Sequence, residues 1–194
     1  LDARIALAIF GALSVISGAA LYSAIQTAKA TAVFVDLQEL GKSIEQYYLD
    51  TGELPTQNSL NSSDALFYLL ETNDLISKNS TVKNWNGPYI GYSQDETYSY
   101  SLDYPKYNHI NALILTDKET WGGTVSWWSA GGTCPAGDNC YIWSEIVQVD
   151  NETLAKQIDA IADNSDGADK GSFRWHENGS NGWYHYMLKT FLVD

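Results

Sequence analysis

The chain has 194 residues, a formal charge of −13 at pH 7, thirteen tyrosines and seven tryptophans. Binding to a nucleic-acid backbone needs clustered Lys and Arg, and the eleven basic residues here are dispersed, so the composition argues against nucleic acid as a partner. Once one long N-terminal helix is set aside, the remaining length suits a single globular domain.

The chain opens with an uncharged run from Ile5 to Ile25, IALAIFGALSVISGAALYSAI. As a helix this run would be about 31 Å long, which matches the roughly 30 Å hydrocarbon core of a bilayer. The helical pattern then continues to Asp50 without a proline. One helix with an apolar first half and an amphipathic second half is therefore predicted.

This pattern divides the chain into a long N-terminal helix at 1–52 and a globular head at 53–194. Within the helix, 1–25 is predicted to lie in a membrane or a filament core, and 26–50 is predicted to dock on the head. Because the apolar run stands at the N-terminus, we expect Leu1 to arise from a cleavage that retains this run, unlike the removal of a signal peptide.

Four small residues dilute the apolar run: Gly11, Ser14, Ser17 and Gly18. Small residues let helices approach closely, and glycine lowers helix stability by about 1 kcal/mol relative to alanine. We therefore expect the helix to loosen between Gly11 and Gly18 in an assembled filament.

An apolar stripe follows in the second half of the helix, at steps of four and three residues. It comprises Val33, Leu37, Leu40, Ile44 and Tyr47. We predict that the head packs on this stripe and that the charged residues between its members, such as Asp36, face away from it.

Gly52 and Pro55 are expected to end the helix, and shorter elements follow with Gly-rich turns between them. The sequence predicts helices at 63–70 and 151–162. It predicts strands at 97–102, 109–116, 124–128, 141–149, 172–175 and 183–193.

The two cysteines, Cys134 and Cys140, bracket a short loop that contains Pro135 and Gly137. In a chain that looks exported, a disulfide between them is expected, since disulfides persist outside the cytoplasm. Two free thiols are the alternative.

Three motifs carry a resemblance to a known family. The segment 48–55, YLDTGELP, resembles the Y-x-D-T-G-x-x-P stretch of type II secretion major pseudopilins, and 85–90, WNGPYI, resembles their W-x-G-P-Y-[IL] segment. A third motif, I-D…D-D-G…G, resembles a C-terminal stretch of several type IV pilins and comprises Ile158, Asp159, Asp163, Asp166, Gly167 and Gly171. The chain thus resembles the type IV pilins and pseudopilins.

The resemblance implies an α+β, pilin-like fold, with a long N-terminal helix packed on a small antiparallel β-sheet and a disulfide-containing C-terminal region. It implies a structural filament subunit that is cleaved by a prepilin peptidase, often N-methylated at the new terminus, here Leu1, and stored in the inner membrane. Its partners would be identical subunits and the pilus assembly machinery. The assembled protein would lie in an extracellular pilus or a periplasmic filament.

The chain departs from the family pattern at its start. Most members carry Glu at the fifth mature position, where this chain has Ile5, and the proline that marks the loosened part of the family helix is missing near Tyr22. We predict that Asp2 and Arg4 replace the missing Glu in setting the register between subunits, since a buried charge requires a partner. The alternative is that Asp2 and Arg4 pair with each other or reach water.

Three carboxylates, Asp163, Asp166 and Asp169, lie in one short loop after a predicted helix. Calcium prefers oxygen ligands, and related pseudopilins bind calcium in a C-terminal loop, so these three are calcium candidates. A solvated turn is the alternative, and no other cofactor is expected.

No motif of a hydrolase, a metalloprotease or a phosphate-binding loop is present, and we expect no enzyme activity. His109, His176 and His185 are scattered and are predicted to be ordinary sheet residues. The density of aromatic residues is also compatible with sugar binding or electron conduction, although aromatic residues commonly fill strands.

The leading hypothesis for function is therefore a type IV pilus-like filament subunit that polymerises through its apolar helix. A type II secretion pseudopilin or a minor pilin is a close alternative. A membrane-anchored periplasmic binding domain or enzyme is the alternative from another class.

Overall fold

The computed structural model describes residues 3–58, 68–127, 132, 134–135, 137–179 and 181–193, with only the backbone described for 3–17 and 68. The dominant element is helix α1, Ala3–Thr51, a continuous helix of 49 residues. It ends where Gly52 adopts φ +76° and donates its backbone N–H to the Tyr48 carbonyl at 2.8 Å. Glycine adopts this left-handed conformation without strain, so Gly52 ends the helix as predicted.

The head is built on one antiparallel sheet of six strands. The strands are β1 (Tyr68–Leu69), β2 (Leu102–Asp103), β3 (His109–Thr116), β4 (Cys140–Val149), β5 (Phe173–Glu177) and β6 (Tyr184–Val193). Their spatial order is β1-β3-β4-β6-β5, and β2 pairs with β3 on the edge that β1 also uses. A second helix, α2 (Glu152–Ala162), joins β4 to β5, and a short 3-10 helix, Thr72–Leu75, follows β1.

The sheet has two different faces because alternate residues of a strand point to opposite sides. The near face packs against α1 and α2, and its core includes Leu37, Leu40, Ile110 and Ile146. The far face has its own apolar cluster, formed by Leu69, Leu113, Leu115, Trp121, Trp127, Trp143 and Met187. The segment that contains Trp121 and Trp127 covers this second cluster.

Three predicted elements are wrong. Only Leu102 of the strand predicted at 97–102 lies in a strand, because the Asp95 carboxylate accepts the backbone N–H groups of Thr97 and Tyr98 at 2.8 and 2.7 Å and folds this segment into a turn. In place of a strand at 124–127, Val125 pairs back with Gly122 in a tight turn.

The third is the helix predicted at 63–70. Its first part lies outside the described residues, but Tyr68–Leu69 form β1 and the Leu70 N–H donates to the Ala112 carbonyl at 3.0 Å. Pairing with the open edge of β3 has overridden the local helical pattern. The remaining strands and α2 have their predicted positions to within two residues, and the predicted fold class, pilin-like α+β with a long N-terminal helix on an antiparallel sheet, is confirmed.

The contact between α1 and β6 is close enough to require glycine. A Cβ added at Gly41 would lie 2.3 Å from Cγ2 and 2.8 Å from Cβ of Thr190. The Thr190 side chain is held in place, because its hydroxyl donates to the Ile142 carbonyl at 3.0 Å. A helical glycine is therefore retained here despite its low helix propensity.

We expect Gly41→Ala to lower the melting temperature of the protein. Overpacking costs about 1–3 kcal/mol, whereas the gain in helix propensity is about 1 kcal/mol. Circular dichroism melts would measure the change. Gly91→Ala is the matched control, since a Cβ there has nothing within 4 Å, and a Gly41→Ala protein at least as stable as this control would contradict the close contact.

Candidate functional site

The first candidate site is the part of α1 that projects from the head. Every residue from Gly18 to Lys29 is exposed or half-buried, and the next residue, Ala30, is buried. The helix from Ala3 to Lys29 is thus about 40 Å long at 1.5 Å per residue. Large apolar side chains stand exposed on it, with Leu21 63 % and Tyr22 66 % accessible.

One side of this projecting helix is lined by small residues. They form a shallow open groove with Ala20, Ser23, Ala24, Thr27, Ala28, Thr31 and Ala32 among its lining residues. The Thr27 and Thr31 hydroxyls donate to the carbonyls four residues earlier, at 3.1 and 2.9 Å. Because these hydroxyls already donate hydrogen bonds within the helix, another helix can pack here without leaving a buried donor unpaired.

The extreme N-terminus carries several predicted site residues. Leu1 and Asp2 lie outside the described residues, and the side chains of Arg4 and Ile5 are not described. The same holds for Gly11, Ser14 and Ser17, whose backbone is helical, whereas Gly18 is helical and exposed. Subunit registration by Asp2 and Arg4, and loosening of the assembled helix at 11–18, stay predictions.

No helix in the described part of the chain is long and apolar enough to qualify as a membrane span. Residues 5–17 of the predicted apolar run have side chains outside this description.

The second half of α1 is the part in contact with the head. All five residues of the predicted stripe, Val33, Leu37, Leu40, Ile44 and Tyr47, are at most 2 % exposed. Asp36 does not face away as predicted. Its carboxylate accepts the hydroxyl of Tyr104 and pairs with the Lys106 ammonium at 2.5 Å, so it ties the loop between β2 and β3 to α1.

The segment 85–90 also packs on this half of the helix. The Ser43 hydroxyl donates to the Tyr89 carbonyl at 3.0 Å, and the Tyr47 and Tyr89 rings meet edge to face at 5.6 Å. Trp85 packs on Tyr89 and donates its indole N–H to the Asp74 carbonyl at 2.9 Å. The W-N-G-P-Y motif therefore anchors the chain that follows the helix.

A disulfide joins Cys134 and Cys140, with 5.7 Å between their Cα atoms. Cys140 is the first residue of β4, so the bond holds the preceding loop against the start of a central strand.

The second candidate site is a cluster of three carboxylates at the end of α2. Asp159, Asp163 and Asp166 each place one oxygen within 4.8 Å of the others. Asp169 is exposed and lies outside this cluster, whereas Asp159, which was not among the calcium candidates, belongs to it. Asp159 and Asp163 are four residues apart on a helix, a spacing that places both on one face and is visible in the sequence.

Backbone contacts hold the cluster together. Asp163 Oδ2 accepts the N–H groups of Ser172 and Phe173 at 2.9 and 2.6 Å, and Asp159 Oδ2 accepts that of Gly167 at 3.2 Å. A Cβ at Gly171 would lie 2.6 Å from an Asp166 oxygen. The glycine thus leaves room for the carboxylates, and the third motif connects α2 to β5.

Asp159 is the buried carboxylate of the cluster. It is 3 % exposed, and within the described part of the chain its Oδ1 has no hydrogen-bond partner. Burial raises the pKa of Asp159 to about 6, and the neighbouring charges of Asp166 and Asp163 act in the same direction. None of the ion pairs between described residues involves the three carboxylates.

The long helix packed on an antiparallel sheet defines the class of fold, which is pilin-like α+β. The family described as Type II secretion system (T2SS), protein G, matches residues 20–109, which are 90 of the 194 residues. The match covers part of the exposed helix, the docked stripe and the first two motifs. No curated protein and no solved structure matches the chain significantly.

This match supports the type IV pilin and pseudopilin superfamily, as the motifs indicate. Within that superfamily the match is to a secretion pseudopilin, so it supports the pseudopilin alternative better than a type IV pilus subunit. The protein G family is a family of structural pseudopilins.

The raised pKa of Asp159 predicts how stability depends on pH in the presence of a chelator. The native carboxyl holds its proton more tightly than the unfolded one, so its stabilising contribution is complete below about pH 4 and is lost as pH rises through about 6. Asp159→Asn does not titrate. The free energy of unfolding of this variant, relative to that of the parent, should therefore increase by roughly 1–3 kcal/mol as the pH rises from about 4 to about 6.

Urea unfolding at both ends of this pH range measures the effect. The exposed neighbour Asp169→Asn is the control and should leave the pH dependence unchanged. A parallel pH dependence for the parent and Asp159→Asn would show that this carboxyl does not titrate as described.

Proposed function

We propose that the chain is a structural subunit of a type II secretion pseudopilus and polymerises through α1. The observation that carries the proposal is the projecting, exposed apolar helix from Gly18 to Lys29, of which residues 20–29 lie in the region matched by the protein G family. A type IV pilus or minor pilin role is less well supported, because the family match is to the secretion protein.

Burying the exposed apolar side chains of this helix against other copies of the chain is energetically favourable. Each large apolar side chain gains about 1.5–3 kcal/mol when it is removed from water. Leu21, Tyr22 and Ile25 are 63, 66 and 45 % exposed, and the adjacent small residues let a neighbouring helix approach. A head-to-tail contact between identical chains produces a helical filament when its rotation does not close a ring.

The finer features of this function remain part of the proposal. The subunit would be processed by a prepilin peptidase, held in the inner membrane before assembly and placed in a periplasmic filament afterwards. Asp2 and Arg4 would set the register in place of the family Glu. A membrane-anchored binding domain or enzyme would not require the projecting helix to contact another subunit.

Ile25→Asn tests assembly through α1, and Ile161→Asn is its matched control. Both isoleucines lie on helices with similar exposure, 45 % for Ile25 and 41 % for Ile161 on α2. Loss of one buried isoleucine per subunit contact should reduce filament yield by about tenfold or more. Negative-stain counts of sheared filaments, normalised to subunit level by immunoblot, provide the measurement.

The head should fold equally well in both variants, because Ile25 lies in the exposed segment before Ala30 and Ile161 is similarly exposed on α2. Equal filament yields from Ile25→Asn and Ile161→Asn would rule out assembly through this part of α1.

We further propose that Asp159, Asp163 and Asp166 hold a calcium ion. Three oxygens within 4.8 Å of one another suit a hard cation, and the buried Asp159 Oδ1 without a hydrogen-bond partner among the described residues fits a ligand atom. The ion would neutralise the clustered charge and fasten the end of α2 to β5.

Calcium should therefore raise the melting temperature, by several degrees for a site that is well above half-saturation. Magnesium should do so less, since it demands stricter geometry. Asp159→Asn should abolish the calcium response and Asp169→Asn should retain it. A melting temperature insensitive to calcium, or a response equal in both variants, would favour the solvated turn.

A further inference from the structure

The far face of the sheet contains a cavity of about 530 Å³. This volume lies within the range of roughly 300–1,000 Å³ that is typical of small-molecule sites. All three histidines of the chain line it, although they are far apart in the sequence. Neither the assembly of α1 nor the aspartate cluster uses this cavity.

Strand register brings the polar residues together. His109 and Asn111 on β3 lie opposite Val147 and Glu145 on β4, and His176 on β5 lies opposite His185 on β6. Alternation along each strand turns all of these side chains toward the far face. Their rings pack closely, with His176 and His185 stacked at 4.6 Å between centroids.

These polar side chains are deeply buried. Glu145 is 1 % exposed, His176 3 %, Asn111 4 % and His109 5 %. Glu145 Oε1 accepts the Trp127 indole N–H at 3.1 Å and contacts His185 Nδ1 at 2.6 Å. Among the described residues, Nδ1 of His109, Oδ1 of Asn111 and Nδ1 of His176 have no partner.

The sheet itself does not require polar side chains at this position. One step further along β3 and β4 on the same face, the residues are Leu113 and Trp143, and both belong to the apolar cluster of the far face. An unpaired buried polar group costs about 1–3 kcal/mol. Several such groups together, beside apolar neighbours on the same face, are consistent with a ligand that supplies the missing partners.

The charges of the cavity exclude some ligand classes. No Lys or Arg is among its described lining residues, and Glu145 is the carboxylate among them. Burial lowers the pKa of His176 to about 3 and lowers that of His109, so both rings are neutral at pH 7. An anionic ligand would therefore find no Lys or Arg among these residues and would lie beside the Glu145 carboxylate.

The geometry also disfavours a metal ion on the histidines. Imidazole binds metals through lone pairs in the ring plane, whereas the His176 and His185 rings lie face to face, with 17° between their planes. The aspartate cluster is the group of three ligand side chains that the described residues bring within reach of one ion.

We propose that this cavity binds a neutral saccharide. The three aromatic side chains Tyr98, Tyr100 and Trp127 supply apolar walls for the face of a sugar ring. Sugar hydroxyls both donate and accept hydrogen bonds, and therefore match imidazole nitrogens, an amide oxygen and a carboxylate together. A simple organic cation could use Glu145 and the aromatic rings, but it would leave the imidazoles and the amide unpaired.

Saccharide binding goes beyond the proposed assembly function and does not depend on it, because α1 and the cavity lie on opposite faces of the sheet. Binding by unassembled subunits would be unaffected if assembly occurred differently.

Isothermal titration calorimetry on the full chain tests the proposal, with glucose, galactose, N-acetylglucosamine and maltose as probes. The protein is kept in a zwitterionic detergent and not in a glycoside detergent, because the sugar headgroup of a glycoside detergent would compete for the cavity. At least one of the four should bind with a dissociation constant in the millimolar range or below. Tetramethylammonium and phosphate, as cation and anion probes, should not bind.

Two variants locate the binding, each with a matched control. Tyr98→Ala removes an aromatic wall that is 36 % exposed and should weaken binding by about tenfold, whereas Tyr48→Ala, 46 % exposed and outside the cavity, should not. Glu145→Gln preserves the shape and should weaken binding similarly, whereas the exposed Glu177→Gln should not. Melting temperatures establish that each variant folds.

Three results would overturn the proposal. The first is the absence of binding to all four sugars, and the second is sugar binding that Tyr98→Ala leaves unchanged in a folded protein. The third is binding of tetramethylammonium without sugar binding, which would identify a cation site.

Discussion

The packing of α1 against the near face of the sheet is the interaction on which the rest of the structure depends. Helix α1 has 49 residues, and within its described side chains burial against the head begins at Ala30. Leu37, Leu40 and Ile44 are completely buried there. This contact fixes the axis of the helix relative to the head, and so fixes the direction in which the exposed segment 18–29 points.

Polar contacts around this apolar interface determine its register. The hydroxyl of Tyr104 and the ammonium of Lys106 both reach Asp36 on the helix. Burial, followed by the Asp36 contacts, raises the pKa of Tyr104, so this hydroxyl remains a donor throughout the physiological pH range. At the other end, Ser43 contacts the backbone of Tyr89. A slip of the helix by one turn would break both contacts.

The sequence predicted the helix and the long strands because each has a strong local period. The strand at His109–Thr116 was predicted with its observed bounds, and Gly52 ends α1 as expected. The segment 97–101 has the period of a strand, but a single carboxylate, Asp95, folds it into a turn. Side-chain capping of this kind competes with a weak strand pattern and is easily overlooked.

The candidate sites were less predictable, because they depend on register. Asp163 and Asp166 were identified from their proximity in one loop, but Asp159 joins them only through the helical turn that precedes the loop. The cavity on the far face gives no sequence signal at all. Its histidines come from three strands, and only the pairing of β3, β4, β6 and β5 brings them together.

The placement of α1 and the cavity on opposite faces of the sheet has a consequence for a polymer of this chain. In a filament of the proposed kind, with the helices at its centre, the far faces of the heads would be directed outward, with one cavity per subunit at a regular spacing. A weak monovalent interaction then becomes multivalent along the fibre, and its avidity exceeds the affinity of a single head by orders of magnitude. Polymer length would thereby control how firmly the filament holds a surface that carries many copies of the ligand.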